Sequence, residues 1–504
     1  MLKVSGFLLL ALALSAAASP SKECNLCLSF TAAAEKVLED VGNMPFSLLV
    51  DIGEVLCKGH ENSTILQNCY EFFKANGKLL IDGLMETRTP NGVCNHFGFC
   101  NVPEQVHISM EGTPSTQINV MWVTPKNTTT HTVWYGQSED SLNQMEEGYT
   151  TTYTDGGWEG VIHIVELDQL SPLTRYYYVV GDATDGKSKV FSFVTPPTSK
   201  EAKPSSSIIV IGDMGADPLA DASVKSMTKR VQNGEIDLLV HDGDMSYANG
   251  VMRVWDQYLR KIEAISASVP YMVSPGNHEN HYQFAAYLHR FTMPWKASGA
   301  INNLYHSFDY SNIHFVAFNL EYDLSPSSAQ YAWLENDLKV AESRRQNGEI
   351  DWIVAYGHRP LYCSNYPEDK SDCWEEAPKF RSWLEGMFAQ YGVDLVVGAH
   401  EHSYEAIHPV YNTTVDEASI SYIDNNHAKR RYTQPKYPVY IVDGSAGCKE
   451  FLDVKFKSPA PSWSANHASY YGYGMLNVEG SSRLSFTYIR SEDDAELDYF
   501  EIVH

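Results

Sequence analysis

The sequence predicts a multidomain protein: a small all-α disulfide-linked unit, then a β-sandwich, then a large α/β domain of β-sheets flanked by helices. Three observations carry this. The chain has 504 residues, beyond the roughly 250–300 at which a single core stops growing. Six of its nine cysteines fall between residues 24 and 100, ahead of a stretch of short alternating apolar runs. From residue 207 on, apolar runs recur with a metal-capable residue just past each C-terminal end. Composition narrows the class: 43% hydrophobic and 20% charged residues exclude collagen, coiled coil and wholesale disorder. With 37 Lys+Arg against 63 Asp+Glu the net charge is −26. Such a field repels polyphosphate backbones, so no nucleic-acid partner is expected.

Residues 1–18 read as a secretory signal: Lys3 is the basic lead, 7–14 the apolar run, and Ala16-Ala17-Ala18 the small residues at the cleavage point. The run is short of the roughly 20 residues that span a bilayer, and no later run approaches that length. No transmembrane segment is therefore expected. The chain ends Glu501-Ile502-Val503-His504 without a retention tetrapeptide or lipid-anchor tail. The expected destination is extracellular or lysosomal, with glycosylation sequons at Asn62, Asn127 and Asn412.

Between Cys24, Cys27, Cys57, Cys69, Cys94 and Cys100, spacing alone does not choose the pairing. An oxidising compartment favours disulfides over zinc or redox chemistry for the Cys24/Cys27 opening. Helical runs lie between them at 30–38, 69–73 and 79–85. Successive gaps of 2, 29, 11, 24 and 5 residues over this helical background resemble a saposin B-type domain covering 19–102. The resemblance implies the nested pairs Cys24–Cys100, Cys27–Cys94 and Cys57–Cys69, and contact with a lipid surface. A helical cap packed on its neighbour is the other reading.

Residues 103–200 change character. The runs 103–110, 118–124, 132–136, 175–180 and 191–195 alternate β-branched and aromatic residues with Gly, Asn and Pro between them. They look like a fibronectin type III-like β-sandwich, a scaffold without a reactive cluster. Pro196-Pro197 and the run 203–207 mark its end.

In 201–504 the apolar run 208–211 precedes Asp213, 236–240 precedes Asp244 and Tyr247, and 271–273 precedes Asn277 and His278. The run 352–355 precedes His358, and 394–397 precedes His400 and His402. Uninterrupted apolar runs suit strands buried on both faces, and α/β sheets place sites at their carboxyl edge. Asp213 and Asp244 are 31 positions apart, about one βαβ unit. Glycine stands just before these groups, where it permits a sharp turn and close backbone approach. A further core strand is expected at 438–442.

Together GDMG, GDMSY, GNHE, the GH of AYGHRP, and GAHEH resemble the binuclear metallophosphoesterases, specifically the purple acid phosphatases, over residues 103–504. The resemblance implies that Asp213, Tyr247 and His402 hold one iron, that Asn277, His358 and His400 hold the second metal, and that Asp244 bridges them. The donor chemistry agrees. An unshared carboxylate, a phenolate and an imidazole suit hard Fe(III), whereas two imidazoles and a neutral amide suit a divalent Fe, Zn or Mn. His400 and His402, two apart, are expected on extended backbone, one toward each metal. Residue 215 is Gly, where the wider superfamily commonly has a ligating His. Tyr247 compensates, favouring the purple acid phosphatases over the acid sphingomyelinases.

The implied function is acid phosphatase: hydrolysis of small phosphate monoesters by metal-activated hydroxide, with His278 orienting substrate and protonating the leaving group. The alternatives are an acid sphingomyelinase-like phospholipid phosphodiesterase and a non-enzymatic lipid-binding protein. Cys363 and Cys373 are expected as a disulfide, leaving Cys448 as the odd thiol. Oligomeric state is left open.

Overall fold

The structure is a computed structural model that describes residues 22–41, 72, 76, 80, 89–112, 116–198, 205–366 and 372–504. The leader at 1–18, Asn62, Cys57 and Cys69 lie outside the described residues.

The N-terminal unit begins with the helix Lys22–Val41. Disulfides Cys24–Cys100 and Cys27–Cys94 tie it to the short helix Pro90–His96. Cys24, Cys27, Phe30, Ala34, Leu80 and Val93 form a small core of their own. Thr89 caps the second helix by accepting the Gly92 N–H at 3.1 Å, as Thr does where the first-turn amides lack partners.

Two antiparallel sheets follow. One orders Glu104–Met110, Ile118–Thr124, Val161–Leu167 and Tyr149–Thr151. The other orders Gln144–Glu147, Thr132–Gly136, Arg175–Asp182 and Gly186–Lys187, with Phe191–Val194 also paired to Arg175–Asp182. Trp122, Tyr178 and Phe193 lie fully buried among them. Val161–Leu167 is the longest of four strands missing from the sequence reading, with Gln144–Glu147, Tyr149–Thr151 and Gly186–Lys187. The strand Glu104–Met110 packs on the helix Arg253–Ser266, where the Arg260 guanidinium donates to both Glu104 oxygens at 2.7 and 2.8 Å.

Two larger sheets carry the rest. One has eight strands, with Ser205–Ile211, Leu238–His241 and Tyr271–Val273 parallel. The other has seven, with Ile313–Ala317, Trp352–Tyr356, Leu395–Gly398 and Val439–Asp443 parallel. The alternation along Trp352–Tyr356 decides the layering. Ile353 and Ala355 pack with Leu334, Leu338, Leu384 and Phe388 of the helices Ala329–Gln346 and Ala377–Gln390. Trp352, Val354 and Tyr356 join the larger cluster that contains the first sheet. Successive strand residues face opposite sides, so one strand serves two cores.

The sequence reading also lacks the antiparallel meander Gly472–Glu479, Arg483–Arg490 and Glu496–Val503, which pairs with Ser205–Ile211 through its first strand. Leu484, Phe486 and Tyr488 alternate into the core with no exposure. That period-two pattern was legible.

Candidate metal centre

Every parallel strand that leads to a candidate ligand ends two to four residues before it: Ile211 before Asp213, His241 before Asp244, Val273 before Asn277, Tyr356 before His358 and Gly398 before His400. The backbone then turns back over the sheet edge. Asp213, Asp244, Tyr247 and His400 sit at φ 56, 54, 54 and 69°. Non-glycine residues rarely adopt this left-handed region, and it concentrates at functional sites. His400 is therefore on a turn, contrary to the extended backbone expected of it. His400 lies 3.2 Å from His358, and His402 lies 2.9 Å from the Tyr247 hydroxyl. Glycine is required at two points. A Cβ on Gly243, at φ 105°, would lie 2.7 Å from His358 Nδ1, and one on Gly276 would lie 2.3 Å from Asp244 Oδ1.

The residues gather in two groups. In the first, the Tyr247 hydroxyl is 2.7 Å from Asp213 Oδ1 and 2.9 Å from His402 Nε2. In the second, His358 Nε2 is 3.0 Å from Asp244 Oδ2, 3.1 Å from Asn277 Oδ1 and 3.2 Å from His400 Nδ1. Asp213, Asp244, Tyr247 and His358 are buried.

The tautomers are fixed from behind. His358 Nδ1–H donates to the Asp242 carbonyl at 3.1 Å and His402 Nδ1–H to the Phe451 carbonyl at 2.9 Å. His400 turns its Nε2 toward Asp372 Oδ2 at 3.3 Å, and that hydrogen bond holds Asp372 at about 2. His358 and His402 thus turn Nε2 inward, while His400 Nε2 lies 3.2 Å from the donating Arg359 Nη1 as well as beside Asp372. In the second group a carboxylate oxygen, an amide oxygen and two imidazole nitrogens converge, and a cation is what fits such a donor set.

The titrations say the same thing differently. Burial pushes the His358 imidazole down, but the facing Asp244 carboxylate outweighs it and raises it to about 10. Burial likewise lowers His402 while Asp213 and Cys448 carry it to about 12. Both rings would borrow a proton because their surroundings are short of positive charge. Burial, then Asp213 and Asp244, push the Tyr247 phenol well above its ordinary value. Only a strong cation would hold it as phenolate. Cys363, Cys373 and Glu401 also lie close together, but both sulfurs are in a disulfide and offer no thiolate.

Glu279 and Asn249 were not singled out from sequence. Glu279, fully buried, accepts the N–H groups of Asp244, Met245 and Gly276 at 2.8, 3.0 and 2.8 Å. It ties two ligand loops together, and its signal was the fourth letter of GNHE. His278 packs on the Tyr247 ring at 4.2 Å, donates from Nδ1 to Asn249, and turns Nε2 toward Asp244 at 3.6 Å. Arg359 is engaged by Glu321, Asp372 and Glu376, and Tyr362 by Glu385. Cys448, free and buried, rests 3.6–3.7 Å from the two ring nitrogens of His402. Asn127 and Asn412 are exposed.

Comparison with known proteins gives the family. Residues 103–195 match the family description "Purple acid Phosphatase, N-terminal domain", 206–404 "Calcineurin-like phosphoesterase", and 437–499 "Iron/zinc purple acid phosphatase-like protein C". Acid phosphatase type 7 of Mus musculus is 34% identical over 413 residues, 78% of this chain and 89% of that protein. Purple acid phosphatase 21 of Arabidopsis thaliana is 30% identical over 400 residues, 78% of this chain and 82% of its own. The solved purple acid phosphatase PPD1 from yellow lupin seeds shares the fold with a TM-score of 0.69 at 24% identity, over 80% of this chain and 74% of that one. The chain belongs to the purple acid phosphatases, a family of the calcineurin-like metallophosphoesterases that works through a binuclear metal centre.

Proposed function

We propose that this chain is a metal-dependent acid phosphatase that releases phosphate from small monoesters, with Asp213, Tyr247 and His402 holding Fe(III). In this reading Asn277, His358 and His400 hold a divalent Fe, Zn or Mn, and Asp244 spans both. The observation that carries it is the convergence of acceptor atoms around His358 Nε2 at 3.0–3.2 Å. Two cations bound there would neutralise phosphoryl oxygens and acidify water. The chain's own residues do the remainder. Glu279 and the glycines hold the ligand loops at fixed spacing, so binding needs little rearrangement. Asn249 fixes the His278 ring through Nδ1, which leaves Nε2 on the open side to carry a proton to the leaving oxygen.

Purified protein is expected to hydrolyse soluble phosphomonoesters at acidic pH and to show a visible phenolate-to-iron band that Tyr247→Phe removes. A colourless, iron-replete protein rejects the Tyr247 assignment. The names of the relatives do not favour the phosphodiesterase and purely lipid-binding readings.

Residues 19–102 as a saposin-like unit, 103–200 as a fibronectin type III-like sandwich and 201–504 as the catalytic domain complete the proposal. So do a secretory leader at 1–18, glycosylation at Asn62, Asn127 and Asn412, and a lysosomal or extracellular setting. Disulfides support that setting, and no described helix is long and apolar enough to cross a membrane. Flotation of the full chain with anionic vesicles tests the lipid contact.

A further inference from the structure

The loop 448–454 wraps the first group of ligands. Its Phe451 carbonyl holds His402 Nδ1, and its Asp453 carboxylate accepts the His402 N–H at 2.7 Å. Glu450 stands one position before Phe451. Its Oε2 is 3.7 Å from His278 Nε2, and 43% of its side chain is exposed, against 14% for His278. Whatever receives a proton from His278 Nε2 must pass within reach of Glu450.

Phe451, next in the chain, is 65% exposed, at φ 68°. An exposed aromatic face beside a carboxylate is the pairing that receives organic cations. Among the described residues, the two cations nearest this loop point away from Glu450. Lys449 Nζ turns back to the Tyr247 carbonyl at 2.9 Å, and Arg359 is shared among three acidic residues. On the His400 flank those three carboxylates, Asp372 among them, outnumber the one guanidinium. The mouth is thus anionic although the reacting group is a phosphate, so the discrimination falls on the rest of the ester.

We infer that Glu450, with Phe451 beside it, determines specificity by selecting monoesters whose leaving group carries a positive charge, such as phosphorylated amino alcohols, over esters with anionic leaving groups. This rests on the phosphatase reading and on His278 marking the leaving-group side. Like charge on the leaving group is repelled by Glu450, and opposite charge is attracted, at a distance where screening is incomplete.

The test is kcat/KM of the full, metal-loaded chain for phosphocholine, glycerol phosphate and 3-phosphoglycerate, whose leaving groups are cationic, neutral and anionic. Inorganic phosphate serves as a competitive inhibitor to report the metal site alone. Wild type is expected to prefer phosphocholine to 3-phosphoglycerate. Glu450→Gln should lower that ratio about five- to tenfold, Glu450→Lys should invert it, and Phe451→Ala should lower it about threefold. Because the ratio is internal to each preparation, it does not depend on the folded fraction. A ratio unchanged in both Glu450 variants, with phosphate inhibition intact, overturns the selectivity and leaves the phosphatase standing. Failure of metal-loaded wild type to hydrolyse any of the three esters overturns the phosphatase reading, and the selectivity with it.

Discussion

Two buried polar clusters in this chain have opposite fates. At the junction of the sandwich and the α/β domain, Arg290 is fully buried and donates to Tyr153, Gln105 and Asp256 at 2.8, 2.9 and 2.8 Å, with its guanidinium 4.6 Å over the Trp158 ring. At the sheet edge, His358 is equally buried but faces only acceptors. The first cluster balances donor against acceptor and charge against charge, so it stands complete as folded. The second is one-sided. A buried polar group costs free energy unless paired, so a cluster left with one sign is built around a ligand, whereas a balanced one is built for the fold.

The largest expected break in this contrast is Asp244→Asn. Removing the spanning carboxylate should lower phosphomonoester turnover more than about a thousandfold, roughly 4 kcal/mol, with bound metal falling in step. An Asp244→Asn protein that keeps both its full metal content and its wild-type turnover would mean that this carboxylate is not a ligand.

Arg290→Met is the reverse experiment. It strands Asp256 and should cost about 3–5 kcal/mol in denaturant unfolding, with metal content per folded chain unchanged. Glu279→Gln lies between the two clusters, since its carboxylate is satisfied by backbone but holds two ligand loops. Metal affinity measured by competition with a chelator should fall about 10- to 100-fold.

The smallest effect concerns pH. His314 lies between Asp309 and Asp337 at 2.8 and 2.9 Å. Burial lowers it, but the two carboxylates outweigh burial and raise it to about 9. Asp309, raised by burial but drawn down by His314 and Arg344, sits at about 2. The raised histidine contributes stability in full below its unfolded value near 6.5 and loses it as pH climbs through about 9. The depressed aspartate contributes above its ordinary 3.8 and loses it as pH falls through about 2. His314→Asn should therefore cost on the order of 1–2 kcal/mol near pH 5 and much less at pH 10. Equal losses at both values would remove the cluster from the acid tolerance of the fold.

The ligand strands were legible because each is an apolar run broken by Gly and a ligand type, a pattern with little other cause. Val161–Leu167 and the meander from Gly472 were not read, although Leu484, Phe486 and Tyr488 alternate plainly, because no reactive residue drew attention to them. The turn at His400 could not be read from spacing, since two residues apart suits an extended strand and a tight turn alike. Glu279 and Asn249 escaped for a different reason. Their partners are backbone amides and a ring nitrogen brought close only by the fold, over sequence distances of 35 and 29 positions.

Elemental analysis of the purified full chain, set against Asp244→Asn prepared identically, tests the one-sided cluster most directly. About two transition-metal ions per wild-type chain, and a marked loss in the variant, is the expected result. Wild-type protein that hydrolyses phosphate monoesters while holding only trace metal contradicts it.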